Sequence, residues 1–351
     1  MQAYKKRGFW VGLGVFFLVL LSPNPETLSP IGWAVAAVTL LMAIWWATEA
    51  VPVAVTALLP LALFPLLQVT DFKAAALPYA NPNIYLFMGG FILALGIESS
   101  GLHKRLALKM LILVGNSGAK LVGGFMLVSA LISMWVMNTS TTLMLLPIGL
   151  AVCTSVAETI PNFSAKQRKN FETSLLLGIA YAASIGGMST LVGTAPNIIF
   201  VGFMQETYGI EISFIDWMKL GVPIASIMLV ASWYTITKFV YPVNFVASIE
   251  TKLQLRNMLT DLGPLGRDEK KVLVIFLFAA GAWMFRTLLD NFVPLSGLTD
   301  AGIAILAALS FFFIPSENNK TDLLTWEQAN KLPWGLLVLF GGGLSLAASI
   351  G

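Results

Sequence analysis

Five consecutive polar side chains, Asn138, Thr139, Ser140, Thr141 and Thr142, sit in the stretch WVMNTSTTLMLLP (135–147), inside a run with no Asp, Glu, Lys or Arg from residue 121 to 157. Amide and hydroxyl oxygens suit a hard cation, and amide and hydroxyl hydrogens suit an anion. One such residue in an apolar run ordinarily hydrogen-bonds a neighbouring helix; five at a helix break point to a ligand. A second interruption lies in YAASIGGMSTLVGTAPNIIFVG (181–202), where Gly186, Gly187, Gly193 and Pro196 break an otherwise apolar segment. Carbonyls freed near Gly193 suit a small hard cation, and the helix resuming at Pro196 and Asn197 offers N–H groups to an anion. Catalysis fits poorly, because the chain holds no nucleophile–base arrangement, no paired intramembrane Asp and no HExxH.

Composition decides what must position these residues. The chain is 57% hydrophobic and 11% charged, against roughly 25% charged in soluble domains, and apolar runs near membrane-spanning length recur throughout. This predicts an all-α polytopic membrane protein with spans at 8–21, 31–47, 51–67, 84–97, 173–203, 220–240, 272–289, 299–314 and 333–350. The first run follows YKKR but lacks a small-residue cleavage site, so it reads as a retained helix. Lys and Arg concentrate on the cytoplasmic side. With the N-terminus inside and the uncharged segment starting and ending inside, only Lys73, Lys219 and Arg286 of the 21 basic residues fall outside. The segment at about 120–157 is therefore expected to be a re-entrant helical hairpin with MNTSTT near its tip, because two full spans would need about 40 residues plus a turn. Such a tip must be buried in protein or line a wet cavity. The cell (inner) membrane is the expected location.

Two matches suggest an inverted repeat. ATEAVPVAVTALLPLALFP from Ala47 resembles LTDAGIAILAALSFFFIP from Leu298, and NIYLFMGGFILALGIESSG from Asn83 resembles GLLVLFGGGLSLAASIG from Gly335. Thr48 to Gly89 and Thr299 to Gly341 span 41 and 42 positions. On the predicted topology these elements run in opposite directions, as in secondary transporters with broken helices at the midplane.

SMWVMNT followed by an apolar second arm, then the GGMSTLVGTAPN break, resembles the divalent anion/sodium symporter family over essentially the whole chain. The resemblance implies sodium-coupled carriage of a di- or tricarboxylate, or of sulfate, by an elevator movement, in a homodimer with no cofactor. It implies scaffold helices at 1–82, a transport domain at 83–204 containing the hairpin and the broken helix (about 173–203), scaffold helices and a cytoplasmic linker at 205–332, and the start of a second transport element at 333–351. Carried over, sodium would be held by Ser133, Met137, Asn138 and the carbonyl of Gly193. The substrate would meet Asn138, Thr139 and Thr194, beside Pro196 and Asn197. Position 137 is Met where the family motif has Ser, so the site is expected either to bind sodium weakly or to be served by backbone oxygen and a neighbouring hydroxyl such as Ser140 or Thr141. The chain reaches Gly351 inside the element matching Gly89 to Ser99, so the second repeat is expected to be incomplete, leaving a non-transporting fragment as an alternative.

The remaining features read as structural. HKRLALKM, with the lone His103, is a basic stretch expected on the cytoplasmic membrane surface. Arg286 and Asp290 have the spacing of an ion pair, and Glu49 and Asp300 that of helix caps. Residues 244–271 read as a cytoplasmic linker and PNFSAKQRKN as a solvated loop. Cys153 reads as a small buried apolar residue. Nothing resembles a nucleic-acid patch or a phosphate loop.

Overall fold

The computed structural model describes residues 3–113, 115, 117–160, 163–246, 249–289, 297–317 and 321–350. Among these residues the chain is α-helical, with only isolated bridges at Ser117–Val246 and Pro315–Asp322. In order the helices are α1 (Ala3–Leu21), α2 (Pro30–Thr48), α3 (Val53–Thr56), α4 (Leu59–Leu66), α5 (Phe72–Ala76), α6 (Pro82–Ser99), α7 (Leu102–Leu113), α8 (Gly118–Ser133), α9 (Asn138–Thr159), α10 (Ala165–Gly187), α11 (Ala195–Tyr208), α12 (Phe214–Tyr234), α13 (Ile249–Asp261), α14 (Arg267–Met284), α15 (Arg286–Leu289), α16 (Asp300–Ser310), α17 (Trp326–Ala329) and α18 (Trp334–Ile350). Among the described residues four helical segments are long and apolar enough to cross a membrane: Pro30–Thr48, Phe72–Ser99, Asn138–Thr159 and Phe214–Val240. The last turns Ile227, Val230 and Phe239 outward, a face suited to lipid.

The span expected at 51–67 is two short helices instead. Pro60 has no N–H to give the carbonyl of Thr56, and its ring crowds that carbonyl, so α3 ends at Thr56. The tract read as a solvated loop is also partly helical: α10 starts at Ala165 on a capping box between Ser164 and Gln167.

The chain forms two compact units, Met1–Met88 with Ile198–Ile212 and Asn330–Gly351, and Gly89–Asn197 with Ser213–Ala329. In the first, α1 and α2 pack along each other, with Phe9 stacked on Trp45 at 5.1 Å over a core of Phe16, Val38, Leu41 and Met42. Lys5 meets Glu49 at 2.8 Å. Glu49 is the left-handed C-cap residue of α2 rather than a side-chain cap. Helix α18 is tied to α5 by Ser345 Oγ donating to the Ala75 carbonyl at 2.9 Å.

In the second unit, neighbours fix the helix directions. Gly178 of α10 lies against Val122 and Met126 of α8, and Gly186 against Ala130, so α8 and α10 run the same way. Gly149 of α9 lies against Leu175 and Ile179, and Asn138 against Gly187, so α9 runs opposite. Helices α8 and α9 are therefore an antiparallel hairpin closed by residues 134–137. Its arms have 16 and 22 residues and reach from Gly118 to Thr159, slightly beyond the segment expected at about 120–157. Trp135 in the turn stacks on Phe214 and Trp283, at 5.9 and 6.2 Å, which anchors the tip to α12 and α14.

The basic stretch before the hairpin buries one face and leaves Lys104 and Lys109 exposed on the other. His103 and Arg105 are buried, with His103 Nδ1 at 3.0 Å from the Ile97 carbonyl. Arg105 Nε donates to Glu269 Oε1 at 2.7 Å, while its other nitrogens donate to the carbonyls of Leu262, Gly263 and Pro264. The expected linker is thus a packed element: α13 buries Leu255 and contacts α7 and α9. Burial pushes the Glu269 carboxyl up, but hydrogen bonds from Arg105 and the Gly266 N–H hold it below the ordinary glutamate range. Asp300 follows the N-cap Thr299, whose side chain accepts from Gly302 N–H, so Asp300 is not the cap. It accepts from the Phe214 N–H at 2.9 Å and faces Arg286 at 3.5 Å. Asp290, the partner expected for Arg286, lies outside the described residues. Cys153 is buried and free.

Candidate functional site

The two interruptions meet. Helix α8 ends at Ser133, four residues turn the chain, and α9 begins at Asn138 with Met137 as N-cap, extended at φ −50°, ψ 138° and without a side-chain cap bond. The first N–H groups of α9 therefore have no partner from a capping side chain, and this end carries the positive pole of the helix. Ser133 is fully buried, and its hydroxyl donates to Asn138 Oδ1 at 2.6 Å.

The break is braced from within. Helix α10 stops at Gly187 and α11 starts at Ala195. Asn197 is buried, and its amide donates to the carbonyls of Gly187 at 2.9 Å and Thr190 at 2.7 Å. Thr190, also fully buried, donates its hydroxyl to the Met134 carbonyl and accepts from the Gly193 N–H at 3.1 Å. Thr190 thus stitches the break to the hairpin turn. The sequence signal for it was the MST inside the break.

These braces bring together the oxygens of Ser133, Asn138 and Gly193, three of the groups expected to hold the cation. A Cβ added to Gly187 would lie 2.5 Å from Asn138 Oδ1 and 3.1 Å from the Gly193 carbonyl oxygen, so both oxygens flank one Cα. Ser133, Asn138 and Gly193 form one cluster of neutral oxygens. The Met137 carbonyl accepts the Thr141 N–H at 2.9 Å, as the first carbonyl of the α9 ladder. Neutral oxygens at a turn fit a hard monovalent cation; among the described residues no group of three His, Cys, Asp or Glu could hold a metal.

The residues expected to meet substrate divide by exposure. Thr139 and Pro196 are exposed, Asn138 and Thr194 are half-buried, and Asn197 is buried with its amide committed to the break. The open edge of the site is therefore Asn138, Thr139, Thr194 and Pro196, while the Asn197 amide braces the break. Sequence reasoning missed Glu98, at the end of α6, which accepts the Ser140 hydroxyl at 2.7 Å. Nothing in local spacing could have paired residues 42 apart.

The family model described as the sodium:sulfate symporter transmembrane region matches residues 6–350. The chain belongs to that family. Sodium:sulfate symporters are membrane carriers, so this is a transport protein and not an enzyme. The sodium-dependent dicarboxylate transporter SdcS of Staphylococcus saprophyticus is 39% identical over 351 residues, covering 98% of this chain and 67% of the relative. SdcS of Staphylococcus aureus strains USA300 and NCTC 8325 is 38% identical over 349 residues, again 98% and 67%. The chain thus spans about two thirds of the length of these relatives.

Proposed function

We propose that the chain takes part in sodium-coupled uptake of a divalent anion, a dicarboxylate such as succinate. The observation that carries this reading is the meeting of hairpin tip and helix break around Asn138. Its Oδ1 lies with the oxygens of Ser133 and Gly193, and Asn138 itself is half-buried next to the exposed Thr139. Sodium on the oxygen side would fix the Asn138 amide, turning the Ser133 hydroxyl so that a lone pair faces the ion. The fixed amide, the Thr139 hydroxyl and the N–H groups at the start of α9 would then hold a carboxylate. One amide serving both ligands makes their affinities reciprocal. The names of the SdcS relatives favour a dicarboxylate; the family description favours sulfate as a second reading. The resemblance further supports an elevator movement of the part bearing the tip, a homodimer, and an inner-membrane location with the N-terminus in the cytoplasm.

The test is uptake of labelled succinate into vesicles containing the chain, under an inward sodium gradient or with choline replacing sodium. Sodium-dependent uptake, abolished by Asn138→Ala at unchanged protein level, is expected. Excess unlabelled sulfate should compete weakly, and full competition would favour the sulfate reading. Uptake indifferent to sodium, or an Asn138→Ala variant within a factor of two of the parent, would overturn the proposal.

A further inference from the structure

Two hydroxyls in the first turn of α9 could supplement the cation set, and their surroundings separate them. Ser140 is engaged, its hydroxyl donating to Glu98 Oε2 at 2.7 Å. Thr141 is 0% exposed, and its Oγ1 has no hydrogen-bond partner. A helical threonine ordinarily gives its hydroxyl to the carbonyl four residues back, as Thr142 does to the Asn138 carbonyl at 2.8 Å. Thr141 does not. A buried hydroxyl without a partner carries a desolvation penalty, so its retention calls for a ligand.

Its place in the helix says which ligand. Thr141 lies on the same buried face as Leu145, Ile148, Gly149 and Val152, the face that meets α10 through Gly149. Side chains on a helix lean toward its N-terminus and cover the preceding turn, here the turn of Met137 and Asn138. Met137 brings a thioether, a soft and weak acceptor for a hard cation. We propose that Thr141 Oγ1 is a further oxygen ligand of the coupling cation, joining Ser133, Asn138 and Gly193 in a tip where residue 137 supplies no hydroxyl. This rests on the sodium-coupled reading above.

The test is thermal melting of the purified full chain in sodium chloride titrated against choline chloride at constant ionic strength. It compares the parent with Thr141→Val, which keeps the branched shape, and Thr141→Ser, which keeps the hydroxyl. The parent should be stabilised by sodium. Thr141→Val should need at least about tenfold more sodium for half the effect, the size of one lost polar contact to a charge. In choline it should melt at or above the parent, because the unpartnered hydroxyl is gone, and Thr141→Ser should titrate like the parent. An unchanged sodium midpoint in Thr141→Val would overturn the proposal, even if that variant melts lower in both salts. A parent indifferent to sodium would overturn the sodium-coupled reading itself and this inference with it. Should Thr141→Val not fold, Thr141→Ala carries the same comparison; failure of both would make the hydroxyl structural and sink the idea.

Discussion

Neighbouring glycines at the end of α10 should fail in opposite ways. An alanine Cβ at Gly186 would sit 2.2 Å from the Ala130 carbonyl oxygen and 2.4 Å from its Cα. These are backbone atoms of α8, so the only relief is to move one helix off the other. Overpacking costs about 1–3 kcal/mol, and the upper end applies where backbone must yield. Alanine returns roughly 0.5–1 kcal/mol over glycine in a helix, leaving a net loss of about 2 kcal/mol for Gly186→Ala. At Gly187 the first obstacle is the Asn138 amide at 2.5 Å, a side chain that can swing away. That swing gives up the Ser133 bond, worth roughly 1 kcal/mol, which the helix gain offsets, so stability should change little while Asn138 leaves the cation cluster. Gly281, with nothing within 4 Å of its added Cβ, is the control and should be neutral or slightly stabilised as alanine. Melting of the three variants in choline, followed by sodium titration, reads both effects. Gly186→Ala should melt lowest yet keep the parent's sodium midpoint, and Gly187→Ala should melt near the parent yet lose most of the sodium response. A Gly187→Ala protein with parental sodium response would refute the placement of Asn138 in the cation cluster.

Three further outcomes follow. Breaking the buried Arg105–Glu269 pair with Arg105→Gln should cost about 3–5 kcal/mol; because the Glu269 carboxyl is held below its ordinary 4.5, the pair's contribution is full above that pH and fades as pH falls through and below it. Melting against pH should therefore drop on the acid side in the parent and be flatter in the variant, and parallel profiles would contradict the assignment. Met137→Ser, which restores a hydroxyl beside Asn138, should lower the sodium concentration for half-maximal stabilisation; an unchanged titration would place Met137 in packing alone. Cysteines at the exposed positions 120 and 166, at the outer end of α8 and the start of α10, should both label from the cytoplasm, with Cys153 buried and silent; labelling of one from each side would overturn the re-entrant topology.

The two interruptions were legible because their causes are local. A run without charge, a cluster of hydroxyl and amide side chains, a glycine pair and Pro196 all act on the backbone beside them. The helix ends at Ser133 and Asn138, and at Gly187 and Ala195, fall inside the segments those residues mark. The break at Thr56 had an equally local cause in Pro60 and went unread because hydropathy was continuous across it. So did the Ser164–Gln167 capping box, hidden by the charge of the tract around it. Other features lie beyond any spacing argument. Arg105 finds Glu269 at a separation of 164 residues, which makes one face of the basic stretch a buried brace. Glu98 reaches Ser140, and Asp300 faces Arg286, only through tertiary packing.

One amide serving ion and anion together couples their binding, and reciprocal binding tests that coupling most directly. Succinate affinity of the purified chain, measured by titration calorimetry in sodium and in choline, should be higher in sodium. Succinate should raise sodium affinity by the same factor, and Asn138→Ala should abolish both effects. Succinate binding of equal strength in the two salts would contradict it.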